Sequence, residues 1–250
     1  MAAELYDSVR PGFAEAAIDW VLPKAAGRVL DLAAGTGKLT DSLVARGLDV
    51  VAVDPAPNML AVLRRRWPAV DARVGCAERI PLPDASVGTV LVGAAFHWFV
   101  RPEAEREIAR VLRPGGRLGL LGNPYDPDSW VAEVFEDALH SFGVQREGFS
   151  RKETIPDARW FGPSERARFA HIQPLRADQI ADLLASRSYV IAMPEAERAA
   201  LLDRVRRAVA RHVDPAAPVV EVRYHTEAIR TDQRLRSNTS RSPINVNSGS

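Results

Sequence analysis

The sequence predicts an α/β fold built on a doubly wound, largely parallel sheet. Three observations predict it. Short apolar runs alternate with helical patterns through the first half of the chain, the signature of right-handed βαβ units. The central run VGTVLVG (87–93) lacks the polar alternation of a strand wetted on one face, so it reads as a strand covered on both sides. The first strand–helix junction, AAGTG (33–37), is made of small residues, and a chain that lets a ligand approach its backbone needs such residues.

The elements follow in order. RVLDLA (28–33) is the first strand, and Lys38–Arg46 a helix stopped at Gly47. DVVAVD (49–54) is the second strand. Pro57–Trp67 is a helix with Met59, Leu60, Val62 and Leu63 on one side, ended by Pro68. DARVG (71–75) is a weaker strand. Pro102–Leu112 is a helix with proline in its first turn and Arg-Pro-Gly-Gly after its last, leading into the strand RLGLLG (117–122). The second half is less regular. Helices are expected at Ser129–His140, Asp178–Ser186 and Pro194–His212, the last with Leu201, Leu202, Val205 and Val209 on one face. RFAHIQ (168–173) and the alternating start of PVVEVRYHTEAI (218–229) read as strands, the final one ending near Ile229.

With 46% apolar and 26% charged residues, the 250-residue chain has the composition of a globular protein with a substantial core. Its best apolar run, Val87–Val100, contains His97 and falls short of the ~18 residues that a membrane span needs. The net charge is +1, and residues 231–250 hold three arginines against one aspartate. The body therefore has no basic excess to grip a phosphate backbone, which argues against a nucleic-acid binder. Cys76 is the single cysteine, so no internal disulfide forms; it is expected to be a small core hydrophobe. The opening MAAELYDSVRPG has no basic region leading into an apolar stretch, which points to the cytoplasm. No metal-ligand spacing is present.

The chemistry concentrates at two strand ends. Ligands of open α/β sheets bind beyond the carboxyl ends of the strands, where the next helix aims its free N–H groups. Asp54 closes the second strand, 17 residues after Gly37, with Pro55 biasing it towards extended geometry. A carboxylate there can accept hydrogen bonds from both hydroxyls of a ribose, or it can cap the following helix. A small-residue loop with such an acid fits a nicotinamide dinucleotide or S-adenosylmethionine (SAM). The dinucleotide fingerprint wants a third glycine where this chain has Thr40.

On VLDLAAGTGKLT (29–40), VVAVDPAPNML (50–60), GCAERIPLPDASVGTVLVGAAFHWF (75–99) and LRPGGRLGLL (112–121), the chain resembles class I SAM-dependent methyltransferases of the type 11 group. The segment YDSVRPGF (6–13) resembles that group's opening. The resemblance spans about residues 5–230 and implies a Rossmann-like sheet of seven strands, mostly parallel, with an antiparallel last strand. It also implies a helical cap at 174–215 over the acceptor and a metal-independent transfer of a methyl group from SAM to a small molecule.

The roles it implies are specific. Asp31, Gly35 and Gly37 match the loop around the methionine part of SAM. Asp54 matches the acid on the ribose, Met59 lies near the adenine, and Ala77 and Glu78 match the pair that contacts the ring. Ala94 falls where the sulfonium sits. Two positions depart from the pattern. Ala33 replaces the loop's first glycine, a small-for-small change expected to be tolerated. Gly88 replaces an aspartate, with local softening as the expected result. His97 is either a general base or, on the plainer reading that the sequence favours, a ring packed beside Trp98 on the pocket floor. Tyr6 and Arg10 are candidates to close over SAM or to meet an acceptor carboxylate. A SAM-binding protein without transferase activity and a nicotinamide-dependent oxidoreductase are the alternatives. Residues 1–230 are expected to form the domain and 231–250 a disordered tail, so a chain ending at Arg230 should keep its stability.

Overall fold

A computed structural model describes residues 2–144 and 155–234. Two short helices, α1 (Ala2–Val9) and α2 (Glu15–Val21), open the chain. Then β1 (Val29–Leu32), α3 (Lys38–Ala45), β2 (Val50–Asp54), α4 (Pro57–Arg66) and β3 (Asp71–Val74) follow as two βα units and a strand. β4 (Val87–Gly93), a single 3-10 turn (Phe96–Trp98), α5 (Arg101–Val111) and β5 (Leu112–Gly122) complete the parallel part. The remainder is α6 (Trp130–Ser141), β6 (Glu165–Arg176), α7 (Gln179–Ala185), α8 (Ser188–Ile191), α9 (Glu195–Ala210) and β7 (Val219–Asp232).

Among the described residues the strands form one seven-stranded sheet in the order β3-β2-β1-β4-β5-β7-β6. β1 to β5 pair in parallel, and β7 runs antiparallel to β5, as the resemblance implied. Every residue of β1 and β2 is buried, and all but Gly88 and Gly93 of β4. Their largely apolar, non-alternating sequences are what a strand covered on both faces requires. One face packs Leu30, Val51, Val90 and Leu118 against Ile108 of α5. The other packs Val29, Val50 and Leu91 against Ile18 of α2 and Leu43 of α3. Pro57 and Pro102 sit in the first turns of α4 and α5, where a missing N–H costs nothing.

Chain direction along the sheet reverses between β1 and β4. β1 feeds β2 on one side, and the chain later returns to place β4 on the other. A crevice opens at the carboxyl ends of these two neighbours, and it positions the site.

β6 and β7 form a long antiparallel hairpin registered from Glu165↔Arg230 to Arg176↔Val219. Residues between its arms fold into α7, α8 and α9. The expected cap at 174–215 is therefore narrower than read: Pro174–Arg176 still pair in the sheet, opposite Glu221–Val219. Ile180, Leu183 and Leu184 of α7 and Leu201, Val205 and Val209 of α9 bury against Phe135 and Leu139 of α6 in a cluster of their own. Val9 of α1 joins that cluster. No helix among the described residues is long and apolar enough to cross a membrane.

Three sequence expectations need correction. Cys76 is exposed, because β3 has already ended and the chain is turning at the sheet edge. Gly88 is a close-packing position rather than a soft one: a Cβ there would stand 2.3 Å from the carbonyl oxygen of Ala26. The last strand continues past Ile229 to Asp232. Thr231 Oγ1 donates to the Gly162 carbonyl at 2.9 Å, and Arg117 Nε donates to Asp232 Oδ1 at 2.7 Å. Gln233 N–H reaches the Gly116 carbonyl at 2.8 Å, and Arg234 Nε the Phe161 carbonyl at 3.0 Å. Apolar density ends at Ile229, but the ladder and its polar side chains do not. The rest of the expected tail lies outside the described residues.

A chain ending at Arg230 should therefore melt about 5–10 °C lower than the full chain. It loses several hydrogen bonds at ~0.5–1.5 kcal/mol each, and ~1 kcal/mol shifts a domain of this size by about 2–4 °C. A chain ending at Arg234 should melt with the full one. Differential scanning calorimetry of the three chains checks both expectations.

Candidate active site

The crevice is floored by the β1–α3 loop. Its backbone turns through left-handed conformations at Ala33 (φ 60°), Gly35 (φ 56°) and Gly37 (φ 93°). Left-handed backbone costs an ordinary residue ~1–2 kcal/mol, so two of the three positions are glycine. Ala33 is the exception: the alanine fits by size, but its backbone is strained. At Gly37 a Cβ would also stand 3.0 Å from Leu63 Cγ on α4.

Two carboxylates hold the loop. Asp31, 1% exposed, accepts a hydrogen bond from Thr40 Oγ1 at 2.6 Å. Burial pushes its pKa up to about 7, with the nearby Asp54 charge adding to the rise and the Thr40 bond opposing it. Thr40, where a dinucleotide fold needs glycine, is fully buried under the loop as the partner of Asp31. Asp54 takes the Gly35 N–H on one oxygen and the Ala56 N–H on the other, both at 2.8 Å. It thus closes the turn that precedes α4 and ties that turn to the loop. Burial raises its pKa and the two N–H bonds oppose the rise.

One cavity joins this loop to the N-terminal segment. Of the residues expected in the site, Tyr6, Arg10, Asp31, Gly35 and Ala94 line it, along with Ala33, which the sequence had marked only as a departure. Gly37 and Asp54 stand one contact behind, through the loop backbone. Met59, Ala77, Glu78, His97 and Trp98 are not among its lining residues. Ala77 is buried in the core beneath the sheet edge. Glu78 Oε1 accepts the Val100 N–H at 2.9 Å, which fixes the segment after the 3-10 turn. Trp98 is 66% exposed, so it is no pocket floor. His97 lies against it with ring centroids 5.0 Å apart. His97 keeps exposed surface while the atoms crowding its ring lower its pKa.

The structure adds residues that sequence reading missed. Phe13, Thr36, Lys38, Asn123 and Arg187 also line the cavity. Asn123 Nδ2 donates to the Gly12 carbonyl at 2.6 Å, Thr226 Oγ1 donates to Asn123 Oδ1 at 2.7 Å, and the Ala14 N–H donates to Thr226 Oγ1 at 3.0 Å. This clasp lays residues 12–14 over the end of β5 and the middle of β7. Lys38 faces Asp7 at 3.5 Å, and Arg66 bridges Asp7 and Asp41, which tethers α1 above the loop. Thr36 Oγ1 is buried without a hydrogen-bond partner. An orphaned hydroxyl in a loop of exposed backbone is what a polar ligand would satisfy. The acids, the hydroxyl and the open backbone together fit the methionine and ribose parts of SAM.

Known proteins agree with that chemistry. Residues 30–120 match the profile of a methyltransferase domain. An uncharacterised methyltransferase of Mycobacterium tuberculosis is 48% identical over 212 residues, which cover 84% of this chain and 85% of that protein. An uncharacterised methyltransferase-like protein of Schizosaccharomyces pombe is 35% identical, covering 82% of this chain and 84% of its own. Among solved structures, one assigned as a type II methyltransferase of Anaeromyxobacter dehalogenans superposes with a TM-score of 0.68 at 25% identity, over 90% of this chain and 98% of that one.

Two outcomes follow from the loop. Ala33→Gly should raise the melting temperature by about 2–4 °C by relieving ~1 kcal/mol of backbone strain; an unchanged or lower value would show that the turn is not strained. Asp31 makes stability pH-dependent. Its folded pKa lies above the ordinary 3.8, so its contribution is full below that value and is lost as pH rises to about 7. Urea midpoints measured from pH 5 to 8 should fall less for Asp31→Asn than for the wild type.

Proposed function

From the premise that this chain belongs to the SAM-dependent methyltransferases, we propose that it methylates a small-molecule acceptor by direct in-line displacement at the β1/β4 crevice. The observation that carries the reading is the left-handed loop held between Asp31 and Asp54, with Thr36 Oγ1 orphaned beside it.

SAM supplies a methyl group already made electrophilic by its sulfonium, so the chain's own task is to bind, align and exclude water. Asp31 suits the ammonium of the methionine part. Loss of its proton to solvent leaves a carboxylate that a cation stabilises in a buried setting. Asp54 suits the ribose hydroxyls, with its N–H partners Gly35 and Ala56 holding the carboxylate in place. Gly35 and Gly37 keep side chains off the loop, and Met59, Ala77 and Glu78 suit the adenine end. Ala94, at φ 54° just past β4, presents backbone without bulk where the sulfonium belongs. Tyr6 and Arg10 suit closure from above, and Trp98, exposed outside the cavity, suits an acceptor as it approaches. His97, whose imidazole burial shifts towards the neutral form, is able to take a proton from an acceptor.

Titration calorimetry with S-adenosylhomocysteine, the product, tests the cofactor assignments. Asp54→Ala should weaken binding about ten- to a hundred-fold, the worth of ~1.5–3 kcal/mol of charge-assisted bonds; unchanged affinity removes Asp54 from the site. Wild-type affinity should tighten as pH rises from 5.5 to about 7, since Asp31 must ionise to meet the ammonium. A flat profile sinks that role. His97→Ala should spare binding and slow turnover by less than ~100-fold, the lower end of general-base contributions. A larger loss makes His97 the base.

A further inference from the structure

The cavity that opens from the loop ends on two guanidinium groups, Arg10 from the N-terminal segment and Arg187 from the insert between β6 and β7. Their Nε atoms are buried without hydrogen-bond partners, Arg10 standing beside Tyr6 and Arg187 beside Tyr125. Neither arginine forms an ion pair among the described residues. The cavity's one lining carboxylate, Asp31, is held by Thr40 at the end of β1. Lys38, the third cation of the lining, already faces Asp7 at 3.5 Å. Burial and the neighbouring charge of Arg187 push the Arg10 guanidinium below its ordinary pKa. Two like charges share a partly buried space with no acid between them, an arrangement that calls for an anion from outside.

Arg187 is not placed by chance of a loose side chain. Its guanidinium lies over the Tyr125 ring, 4.9 Å from the centroid, and Tyr125 stacks on Tyr224 at 5.0 Å. Tyr224 Oη donates to Gln173 Oε1 at 3.2 Å, and Gln173 Nε2 donates to the Val9 carbonyl at 3.0 Å. The stack therefore runs from the insert through β7 and β6 to the end of α1. It presents a planar donor fork at a fixed orientation, the geometry that suits an oxyanion.

SAM carries a single carboxylate, enough for one of the two guanidiniums. Arg10, on the N-terminal segment that α1 and the Asn123 clasp tether beside the loop, suits that carboxylate. We propose that Arg187 receives an oxyanion borne by the methyl acceptor, so that the enzyme selects acidic small molecules. This rests on the crevice being the SAM site.

The test uses the full chain and two titrations. In the first, S-adenosylhomocysteine is titrated into wild type, Arg10→Gln, Arg187→Gln and Arg187→Lys. In the second, the same proteins saturated with it are titrated with benzoate, phenylacetate, succinate and phenyl phosphate, and with benzamide, phenylacetamide, succinamide and phenol as neutral counterparts. Arg187→Gln should bind S-adenosylhomocysteine within about twofold of wild type, and Arg10→Gln more weakly. At least one acid should bind wild type about tenfold or more tighter than its neutral counterpart. That preference should vanish in Arg187→Gln and survive in part in Arg187→Lys, which keeps the charge and loses the fork. Preference for the carboxylates or for phenyl phosphate tells which oxyanion the site takes. The proposal is overturned if no acid binds, if neutral probes bind equally well, or if Arg187→Gln weakens S-adenosylhomocysteine as much as it weakens the acids. Failure of wild type to bind S-adenosylhomocysteine overturns the cofactor reading itself, and this inference with it.

Discussion

The left-handed turn between β1 and α3 is the constraint from which the site follows. The chain must leave the buried end of β1, reverse over the sheet and enter a helix while keeping its backbone bare. Positive φ at residues 33, 35 and 37 achieves this, and such a turn needs clamps. Asp31 and Thr40 tie the strand below to the helix beyond, and Asp54 ties the loop to the end of the neighbouring strand. Each clamp is a buried carboxylate with a raised pKa. The groups that hold the loop are therefore the ones whose charge state burial perturbs.

A second layer completes the crevice from segments far apart in sequence. The clasp from Asn123 to Gly12 and, through Thr226, to Ala14 spans almost the whole chain. It makes the turn between α1 and α2 depend on β7 and the end of β5. The α1 helix is short and would be marginal alone; its ion pairs with Lys38, Arg65 and Arg66 and its packing against α7 hold it over the loop. The insert between β6 and β7 builds its own apolar cluster with α6. That cluster carries Arg187 to the cavity on the stack of Tyr125 and Tyr224. The half of the cavity nearest the loop is thus made by the parallel sheet, and the other half by the additions at its edge.

Sequence alone determined the parallel half. Apolar runs and Gly/Pro boundaries mark β1 to β4 and α3 to α5 to within a residue or two, since local periodicity and punctuation decide those elements. The same local logic located Asp31, Gly35, Gly37 and Asp54, whose roles depend on where a strand stops and a turn begins. It could not see what depends on contact across the chain. Cys76 is exposed because β3 is an edge strand, and Gly88 is required because Ala26 lies against it. Thr231 and Asp232 belong to a strand because Gly162 and Arg117 await them. Trp98, apolar by composition, stands outside the cavity because the 3-10 turn faces it outward. Arg187 carries no sequence signal, being one arginine among thirty. Its place at the cavity was decided only when a hairpin closed around the helices that hold it, since burial of a charge is a property of the packed structure and not of the segment that contains it.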